Sequence, residues 1–306
     1  MRTCAAAAIC ALTVVTQLSC TTARSTAVPT GSVAPDLTDA SRVLLVVAHQ
    51  DDDAFIVSRL RWHLQHGADV WIVWTASSEP FGEAYSERRI AEARRAADFL
   101  GIPLEQLEFL RHPDGLTHTE LQAILDEIAR FIAEIEPDVI YVPAYEMGHI
   151  DHDIAHFATV YAAEASGTDA RLIEFPLYST YRTSWPLPYK LRRWPDTLST
   201  SARELSDTEF DFVMAYWDIY RSQHFPFGTY LSATSSLRRV FGTEYTRELP
   251  GYTYDQPPFE APAAYERFLK GVELGDLTAA VREVCTTDPV ENACAGMTTS
   301  RGGLQQ

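Results

Sequence analysis

The segment Val43–Asp53, with the sequence VLLVVAHQDDD, constrains the fold of this chain more than any other stretch. Its first half is apolar and partly β-branched, which is typical of a strand buried on both faces of a parallel sheet. Its second half holds one histidine and three consecutive aspartates. Adjacent carboxylates repel one another, and a cation would offset that repulsion. Because ligands bind outside the carboxyl ends of strands in open α/β sheets, the segment predicts a strand that ends in a metal site.

The acids have a simpler alternative explanation. Asp is favoured at helix N-termini, and a helix start could account for Asp52 or Asp53. It does not account for His49 at the strand end with two acids close behind it.

Apolar periodicity alternates between strand and helix from residue 42 to residue 175, which predicts βαβ units and a doubly wound, mostly parallel sheet. After Pro176 the pattern becomes irregular, and Leu177–Ser201 is rich in aromatic and basic residues. We expect an irregular C-terminal extension with short helices that begin at Ser206 and Ala264. The predicted strands are Arg42–Ala48, Asp69–Thr75, Leu107–Leu110, Asp138–Pro143 and Arg171–Phe175. The predicted helices are Ala54–His66, Ala84–Leu100, one that starts at a capping box at Thr117 and is ended by Pro137, and one that follows Asp153 and stops before Gly167.

A second acid- and histidine-rich loop follows the fourth predicted strand, Asp138–Pro143. Right-handed crossovers would bring both loops to one edge of the sheet. Two imidazoles and one carboxylate, from His49, Asp52 and His152, would leave open positions on a metal, as a hydrolytic zinc site requires. Asp51 would then be free to act as a base. His149 could supply a proton donor, and Asp151 could orient it.

Together, AHQDDD at Ala48–Asp53 and HIDH at His149–His152 resemble the two motifs, A-H-P-D-D-E and H-x-D-H, of the LmbE/PIG-L family of metal-dependent N-deacetylases. Members of this family remove an acetyl group from N-acetylglucosamine linked to another moiety, and from related amides. The resemblance implies a Rossmann-like α/β domain. It implies that His49, Asp52 and His152 bind the metal, that Asp51 is the general base, and that His149 is the general acid or oxyanion stabiliser with Asp151 as its tuning partner.

Two positions depart from the first motif. Gln50 replaces its proline, and Asp53 replaces its glutamate, where we expect the acid to cap the following helix. Neither departure removes a ligand.

Three weaker matches predict substrate contacts. Arg89, in R-x-x-E with Glu92, resembles a family helix, although the two could be only an exposed ion pair. Asp114 is similar to an Asp-Gly that contacts substrate in relatives. Gln223 ends Y-R-S-Q, which matches a late Y-x-S-Q motif of the family. His63, on a helix away from the strand ends, is expected at the solvated surface.

The first 40 residues are predicted to lie outside the folded domain. Residues 1–19 contain the apolar run Cys4–Val15, which is too short for a membrane span of about 20 residues and is typical of an export signal. Cys20 resembles the lipid-modified cysteine of a bacterial lipobox, although Gln17 is a poor match to that motif. Residues 20–40 are rich in Thr, Ser, Ala and Pro and predict a flexible tether. We therefore predict an exported protein, either a membrane-anchored bacterial lipoprotein or a periplasmic or secreted one.

The folded part is predicted to comprise the catalytic domain at residues 41–272 and a polar tail at 273–306. Cys285 and Cys294 lie in this tail, and in an exported protein they are expected to form a disulfide. The chain has 25 Lys and Arg against 42 Asp and Glu, a net charge of −17. General nucleic-acid binding, which needs a basic face, is therefore not expected.

The sequence thus predicts a zinc-dependent amide hydrolase that deacetylates a small molecule or glycan, with Fe²⁺ or another divalent ion as the alternative metal. Contact with a membrane is expected only through the N-terminal lipid, and the sequence leaves the oligomeric state open. Two alternatives remain: a non-catalytic cell-surface binding protein with the same fold, and a non-haem Fe(II) enzyme, which also uses two histidines and one carboxylate. A dinucleotide enzyme would need a glycine-rich loop where the aspartates stand.

The lipidation prediction can be tested with Cys20→Ser. We expect the unchanged protein to incorporate labelled palmitate and to fractionate with membranes in a bacterial host, because a lipid chain anchors it there. The Cys20→Ser variant should lose both properties. Equal labelling of the two proteins would contradict the prediction.

Overall fold

The computed structural model describes residues 40–79, 81–182, 187–188, 200–225 and 237–295. The predicted export signal, the lipidation site and most of the aromatic and basic loop therefore lie outside the described residues. The strands are β1 (Arg42–Val47), β2 (Asp69–Ala76), β3 (Leu107–His112), β4 (Val139–Pro143), β5 (Arg171–Phe175), β6 (Tyr178–Ser179), β7 (Leu187–Pro188), β8 (Ser201–Glu204) and β9 (Thr243–Glu248). The helices are α1 (Val57–Gln65), α2 (Glu83–Leu100), α3 (Leu121–Ile135), α4 (Ile150–Ser166), α5 (Asp207–Trp217), α6 (Leu237–Phe241) and α7 (Leu274–Thr287).

Seven of the described strands form one sheet in the order β3-β2-β1-β4-β5-β9-β8. The first five are parallel, and β9 and β8 extend the sheet in antiparallel fashion. The chain winds outward from β1 in one direction to β3 and in the other direction through β4 to β5. The carboxyl ends of β1 and β4 therefore meet at the point where the winding reverses, which is where open α/β sheets bind ligands. The predicted doubly wound, mostly parallel sheet is confirmed.

Strand β1 alternates between the two hydrophobic cores of the domain. Leu44 and Val46 belong to the core beneath α3, α4 and α7. Val43, Leu45 and Val47 belong to the core beneath α1, α2 and α5. All five side chains are fully buried, which explains why β1 reads as a continuous apolar run rather than as an alternating one. In the described part of the chain, no helix has both the length and the hydropathy to cross a membrane.

The capping box predicted at Thr117 is wrong. Helix α3 begins at Leu121 after a 3-10 turn, Thr117–Glu120, and no side chain caps either element. The Thr117 hydroxyl instead donates to Asp151 Oδ1 at 2.6 Å. The capping box at Ser206 is confirmed, because Ser206 Oγ accepts from the backbone of Glu209 and the Glu209 carboxylate accepts from the backbone of Ser206.

Three other expectations differ from the structure. His63 is fully buried rather than solvated, because it lies on the apolar face of α1, three residues after Leu60, where it hydrogen-bonds the hydroxyl of Tyr141. The helix predicted from Ala264 is only a 3-10 turn at Tyr265–Arg267. The segment predicted as a polar tail contains α7, which buries Leu277, Val281 and Val284 against the core of α3 and α4.

Cys285, near the end of α7, is bonded to Cys294 in the structure, and both residues are buried. The bond closes a short loop that packs on α4, where Glu164 accepts hydrogen bonds from the backbone of Asn292 and Ala293.

We expect the double variant Cys285→Ala/Cys294→Ala to lower the free energy of unfolding by about 2–3 kcal/mol, because the cross-link restricts the unfolded chain. Urea denaturation of the oxidised proteins measures the change. Thr286→Ala, an exposed position on the same helix, serves as the control. Equal urea midpoints for the double variant and the unchanged protein would contradict the prediction.

Candidate metal centre

The first functional loop leaves β1 and folds at once into a tight 3-10 turn, Asp52–Phe55. In this turn the backbone of Asp51 adopts a φ of 149°, a value that residues other than glycine rarely take. The backbone N–H of His49 then donates to Asp52 Oδ2 at 2.8 Å. Strain of this kind persists only where surrounding contacts determine the conformation, and it concentrates at functional sites.

His49, Asp52 and His152 converge on one point between the ends of β1 and β4. His49 Nδ1 lies 3.1 Å from His152 Nε2, which lies 3.3 Å from Asp52 Oδ1. His49 Nδ1 lies 3.8 Å from Asp52 Oδ2. Tetrahedral ligands about 2.0–2.1 Å from a zinc ion are separated by roughly 3.3 Å. The three residues are therefore spaced so that they could hold a divalent metal ion.

The hydrogen bonds of His49 leave its Nδ1 available for a metal. His49 Nε2 lies 3.1 Å from Asp151 Oδ2, so a proton on Nε2 is donated to that carboxylate. The ring nitrogen Nδ1 then presents a lone pair to the centre. A carboxylate that orients a ligating histidine in this way raises its basicity and fixes its tautomer. Asp151 is thus nearer to His49 than to His149, whose Nδ1 lies 3.7 Å from Asp151 Oδ2.

Asp151 is held by three donors besides His49. The backbone N–H groups of Gly115 and Thr117 donate to it at 2.7 and 3.4 Å, and the Thr117 hydroxyl donates at 2.6 Å. Burial acts to raise the pKa of Asp151, but His149, His49 and the Thr117 hydroxyl outweigh burial and hold this pKa below its usual range. Asp151 therefore remains a carboxylate in the interior.

His149 is the N-cap residue of α4. Its Nδ1 accepts a hydrogen bond from the backbone N–H of Asp151 at 3.2 Å, so its ring proton lies on Nε2. Burial lowers the pKa of His149 to about 3. The positive end of the α4 dipole acts in the same direction, and the ring is neutral.

Asp51 lies beside the three ligands but is turned toward a different partner. The Arg89 guanidinium donates to Asp51 Oδ1 and, at 2.7 Å, to the backbone carbonyl of Gln50. Burial raises the pKa of Asp51 to about 7, and the charge of Arg89 opposes this rise.

The charges of His49 and of the carboxylates around it shift the pKa values of these groups. Burial acts to lower the pKa of His49, but the nearby Asp114, Asp151 and Asp52 outweigh it and raise the pKa to about 9. Burial acts to raise the pKa of Asp52, but His152 and His49 lower it to about 2. In the polypeptide alone, a proton on His49 offsets the surrounding carboxylates. A divalent cation at the same place offsets them more strongly.

The predicted substrate contacts fall into two groups. Asp114 lies in the site, where its Oδ2 is 3.6 Å from His49 Nε2. Arg89 is also in the site, but it contacts the loop of Asp51. Gln223 is elsewhere, since it donates to Tyr85 and Ser222 rather than to the centre. Glu92 is buried and accepts from the backbone and hydroxyl of Ser222, so the alternative of an exposed Arg89–Glu92 pair is wrong.

Sequence reasoning missed the role of Asp53. The prediction that Asp53 caps a helix is wrong, because its Oδ2 accepts hydrogen bonds from Tyr216 at 2.5 Å and from Tyr220 at 2.7 Å. These contacts fasten the ligand loop to α5 and to the turn that follows it. The Tyr-Arg-Ser-Gln match was the available signal, since Tyr220 is its first residue.

Glu146 and Gly148 were also missed. Glu146 Oε1 accepts from the backbone N–H of Leu177 at 2.5 Å, which holds the segment after β5 against the second functional loop. A Cβ at Gly148 would lie 2.0 Å from the backbone oxygen of Tyr178, so only glycine fits there. The ring of Tyr178 in turn packs edge-on against His152. The absence of a side chain at Gly148 is the one trace of this contact in the sequence.

A cavity of about 740 Å³ lies at the opposite edge of the sheet, where Arg42, Asp138 and Arg171 contribute to its lining. None of the candidate ligands lines this cavity, so we do not connect it with the chemistry of the site.

Comparison with known proteins supports the fold and the motifs. Residues 44–163 match the sequence profile of PIG-L, described as GlcNAc-PI de-N-acetylase. A search of curated protein sequences found no significant match. Among solved structures, a deacetylase–bog complex from the biosynthesis pathway of teicoplanin has a TM-score of 0.52 at 15% identity, covering 69% of this chain and 100% of that one.

Two further structures are similar. The zinc-inhibited form of teicoplanin deacetylase Orf2 has a TM-score of 0.50 at 14% identity, covering 69% of this chain and 100% of that one. A conserved protein of Thermus thermophilus has a TM-score of 0.52 at 20% identity, covering 72% of this chain and 97% of that one. At such identities the likeness establishes the shared fold.

We expect the purified domain to hold about one divalent ion per chain and the His152→Ala variant to hold almost none, because two of three ligands do not retain the ion. Mass spectrometric metal analysis after dialysis measures this. His66→Ala, on the exposed end of α1, is the control and should keep its metal. Equal occupancy in the His152→Ala and unchanged proteins would contradict the assignment.

Proposed function

Since residues 44–163 of this chain carry a PIG-L family domain, we propose that the protein is a metal-dependent hydrolase of amide bonds that removes an acetyl group from an N-acetylated sugar or sugar conjugate. The observation that carries this proposal is the convergence of two histidines and one carboxylate, with Asp51 unused by them and immediately adjacent. This arrangement leaves room on the ion for a substrate, as catalytic zinc sites do.

His49, Asp52 and His152 would hold the ion. When bound, it supplies Lewis acidity, which polarises a carbonyl and lowers the pKa of water. Zinc is the first choice for imidazole and carboxylate ligands of this number, and Fe²⁺ or another divalent ion would also suit them.

Asp51 is proposed as the general base. Arg89 holds one of its carboxylate oxygens, and the strained backbone fixes the direction of the side chain. The geometry is thus determined before a substrate arrives, which is what a base needs in order to take a proton from water during attack on the carbonyl carbon. The same carboxyl group can then give that proton to the departing amine.

His149 is proposed to stabilise the oxyanion. Its Nδ1 accepts from the backbone of Asp151, and its ring proton therefore lies on Nε2. A neutral imidazole in this tautomer donates a hydrogen bond to developing negative charge without losing its own proton. The alternative role of general acid would require an imidazolium at the N-terminus of α4, where a positive charge is disfavoured.

We propose that the sugar part of the substrate contacts Asp114. This carboxylate lies beside His49 and is less buried than the ligands. A carboxylate there can accept hydrogen bonds from the hydroxyl groups of a sugar. The description of the matching family, GlcNAc-PI de-N-acetylase, supports an N-acyl sugar conjugate as the substrate class.

We also propose that the domain works outside the cytoplasm, anchored through a lipid on Cys20 or released after export. The apolar run Cys4–Val15 and the polar tether support this location.

We expect Asp51→Asn to keep its metal and to lose about 100- to 10,000-fold in turnover, the range typical of a lost general base. Acetate release from N-acetylglucosamine and its methyl β-glycoside, with metal analysis of the same samples, measures both effects. Asp211→Asn, an exposed acid on α5, should match the unchanged protein. Full turnover in Asp51→Asn would remove Asp51 from the mechanism. A metal-loaded protein without any amidase activity would favour a binding protein on the same fold.

A further inference from the structure

The segment between β9 and α7 is hydrogen-bonded to the second functional loop, which contains Met147. The backbone N–H of Ala264 donates to the carbonyl oxygen of Met147 at 2.8 Å. The Thr180 hydroxyl donates to the carbonyl oxygen of Pro262 at 2.6 Å. Tyr265 is fully buried. The position of this segment at the mouth of the site is therefore fixed by hydrogen bonds and burial.

Phe268 projects from this anchored segment. Its ring centroid lies 5.7 Å from that of His149, and the two planes are inclined by 32°. The side chain is nevertheless 49% exposed, so one part of the ring packs on the segment and on His149 while another part faces solvent. The next residue, Leu269, has its methyl carbons 3.5 Å from the place a Cβ would take at Gly115. Phe268 thus lies beside His149 at the mouth of the site, and its neighbour Leu269 packs on the loop that carries Gly115.

We propose that Phe268 is the stacking platform for the pyranose ring of the substrate, and hence a specificity-determining residue. The inference rests on the proposed function, because it assigns the sugar of that reaction to one place at the mouth of the site. One face of a hexosamine ring presents mainly C–H groups, whereas its edge carries hydroxyls. Phe268 offers a half-exposed aromatic face next to His149, and Asp114 offers a carboxylate within the same site, so the two complement both features.

A long acyl chain is the less suitable occupant. Pockets for apolar chains enclose most of the ligand surface. Phe268 instead presents a half-exposed face next to the polar ring of His149, in a site that also holds the carboxylate of Asp114. Burying an alkyl chain there would also desolvate Asp114 without giving it a partner.

The test compares four substitutions, Phe268→Tyr, Phe268→Trp, Phe268→Leu and Phe268→Ala, on the metal-loaded enzyme. Tyr and Trp keep a planar aromatic face, Leu keeps apolar area only, and Ala removes both. With methyl β-N-acetylglucosaminide as substrate, we expect KM of the Tyr and Trp variants to stay within about twofold. In the Leu and Ala variants KM should rise by about threefold to tenfold, the range typical of aromatic stacking. The value of kcat should change little, because Phe268 contacts no reacting atom.

Phe99→Leu is the matched control, since Phe99 is 44% exposed but lies at the far end of α2. It should leave KM unchanged. If the Leu variant keeps the KM of the unchanged protein while the Ala variant does not, the contact is apolar rather than stacked, and the proposal is overturned. Equal KM values in all variants overturn it as well.

Calorimetric binding of the same glycoside to the metal-loaded Asp51→Asn protein separates this inference from the proposed function. Suppose that the protein with Phe268 and Asp51 intact releases no acetate, but that adding Phe268→Leu to the Asp51→Asn variant weakens binding of the glycoside. That result would support the stacking role of Phe268 and overturn the proposed deacetylase activity. Acetate release with the same KM in the unchanged protein and in every Phe268 variant would support the deacetylase activity and overturn the stacking role of Phe268. No binding and no release would overturn both.

Discussion

The repulsion among carboxylates at the ends of β1 and β4 is the interaction on which the rest of the site depends. Four aspartates and three histidines meet there in an interior that disfavours unpaired charge. Some of the charge is compensated within the chain, because Arg89 pairs with Asp51 and backbone donors surround Asp151. The remaining negative charge lies around one position between His49, Asp52 and His152, where a proton on His49 offsets part of it and a divalent cation would offset more. The sheet topology makes this convergence possible, since β1 and β4 are neighbours at the reversal of the winding.

The candidate ligands are surrounded by a layer of polar contacts that comes from distant parts of the chain. Asp53 is bound by two tyrosine hydroxyls from the α5 region, and Glu92 is bound by Ser222 of the following turn. Glu146 and Gly148 allow the segment after β5 to pack against His152. Such contacts fix the direction of ligating side chains and commonly matter for metal affinity almost as much as the ligands themselves. In this chain they link the first motif, at Ala48–Asp53, to the Tyr-Arg-Ser-Gln segment at residues 220–223.

Much of this arrangement could be predicted from the sequence, and the limits have physical causes. The five parallel strands and the helices between them follow from local periodicity, because hydrophobic alternation is a property of neighbouring residues, and two short motifs indicate the three candidate ligands. The start of α3 could not be predicted, since Thr117 uses its hydroxyl for Asp151 rather than for its own helix. The partners of Asp53 were equally hidden, because a carboxylate does not reveal which hydroxyls reach it across the fold. Helix α7 was obscured by polar residues between its buried positions.

The two hydrogen bonds from Tyr216 and Tyr220 to Asp53 also affect how the protein folds. The donors are separated from Asp53 by 163 and 167 residues, while the metal ligands themselves lie within the first half of the chain. A chain that has emerged only as far as β5 contains every ligand but none of the hydroxyls that hold the first loop in place. Contacts of such long sequence separation form late, because their loop-closure entropy is compensated only once the intervening elements have packed. The acidic loop therefore remains unsupported during the early stages of folding, and the candidate metal centre becomes well ordered only at the last stage.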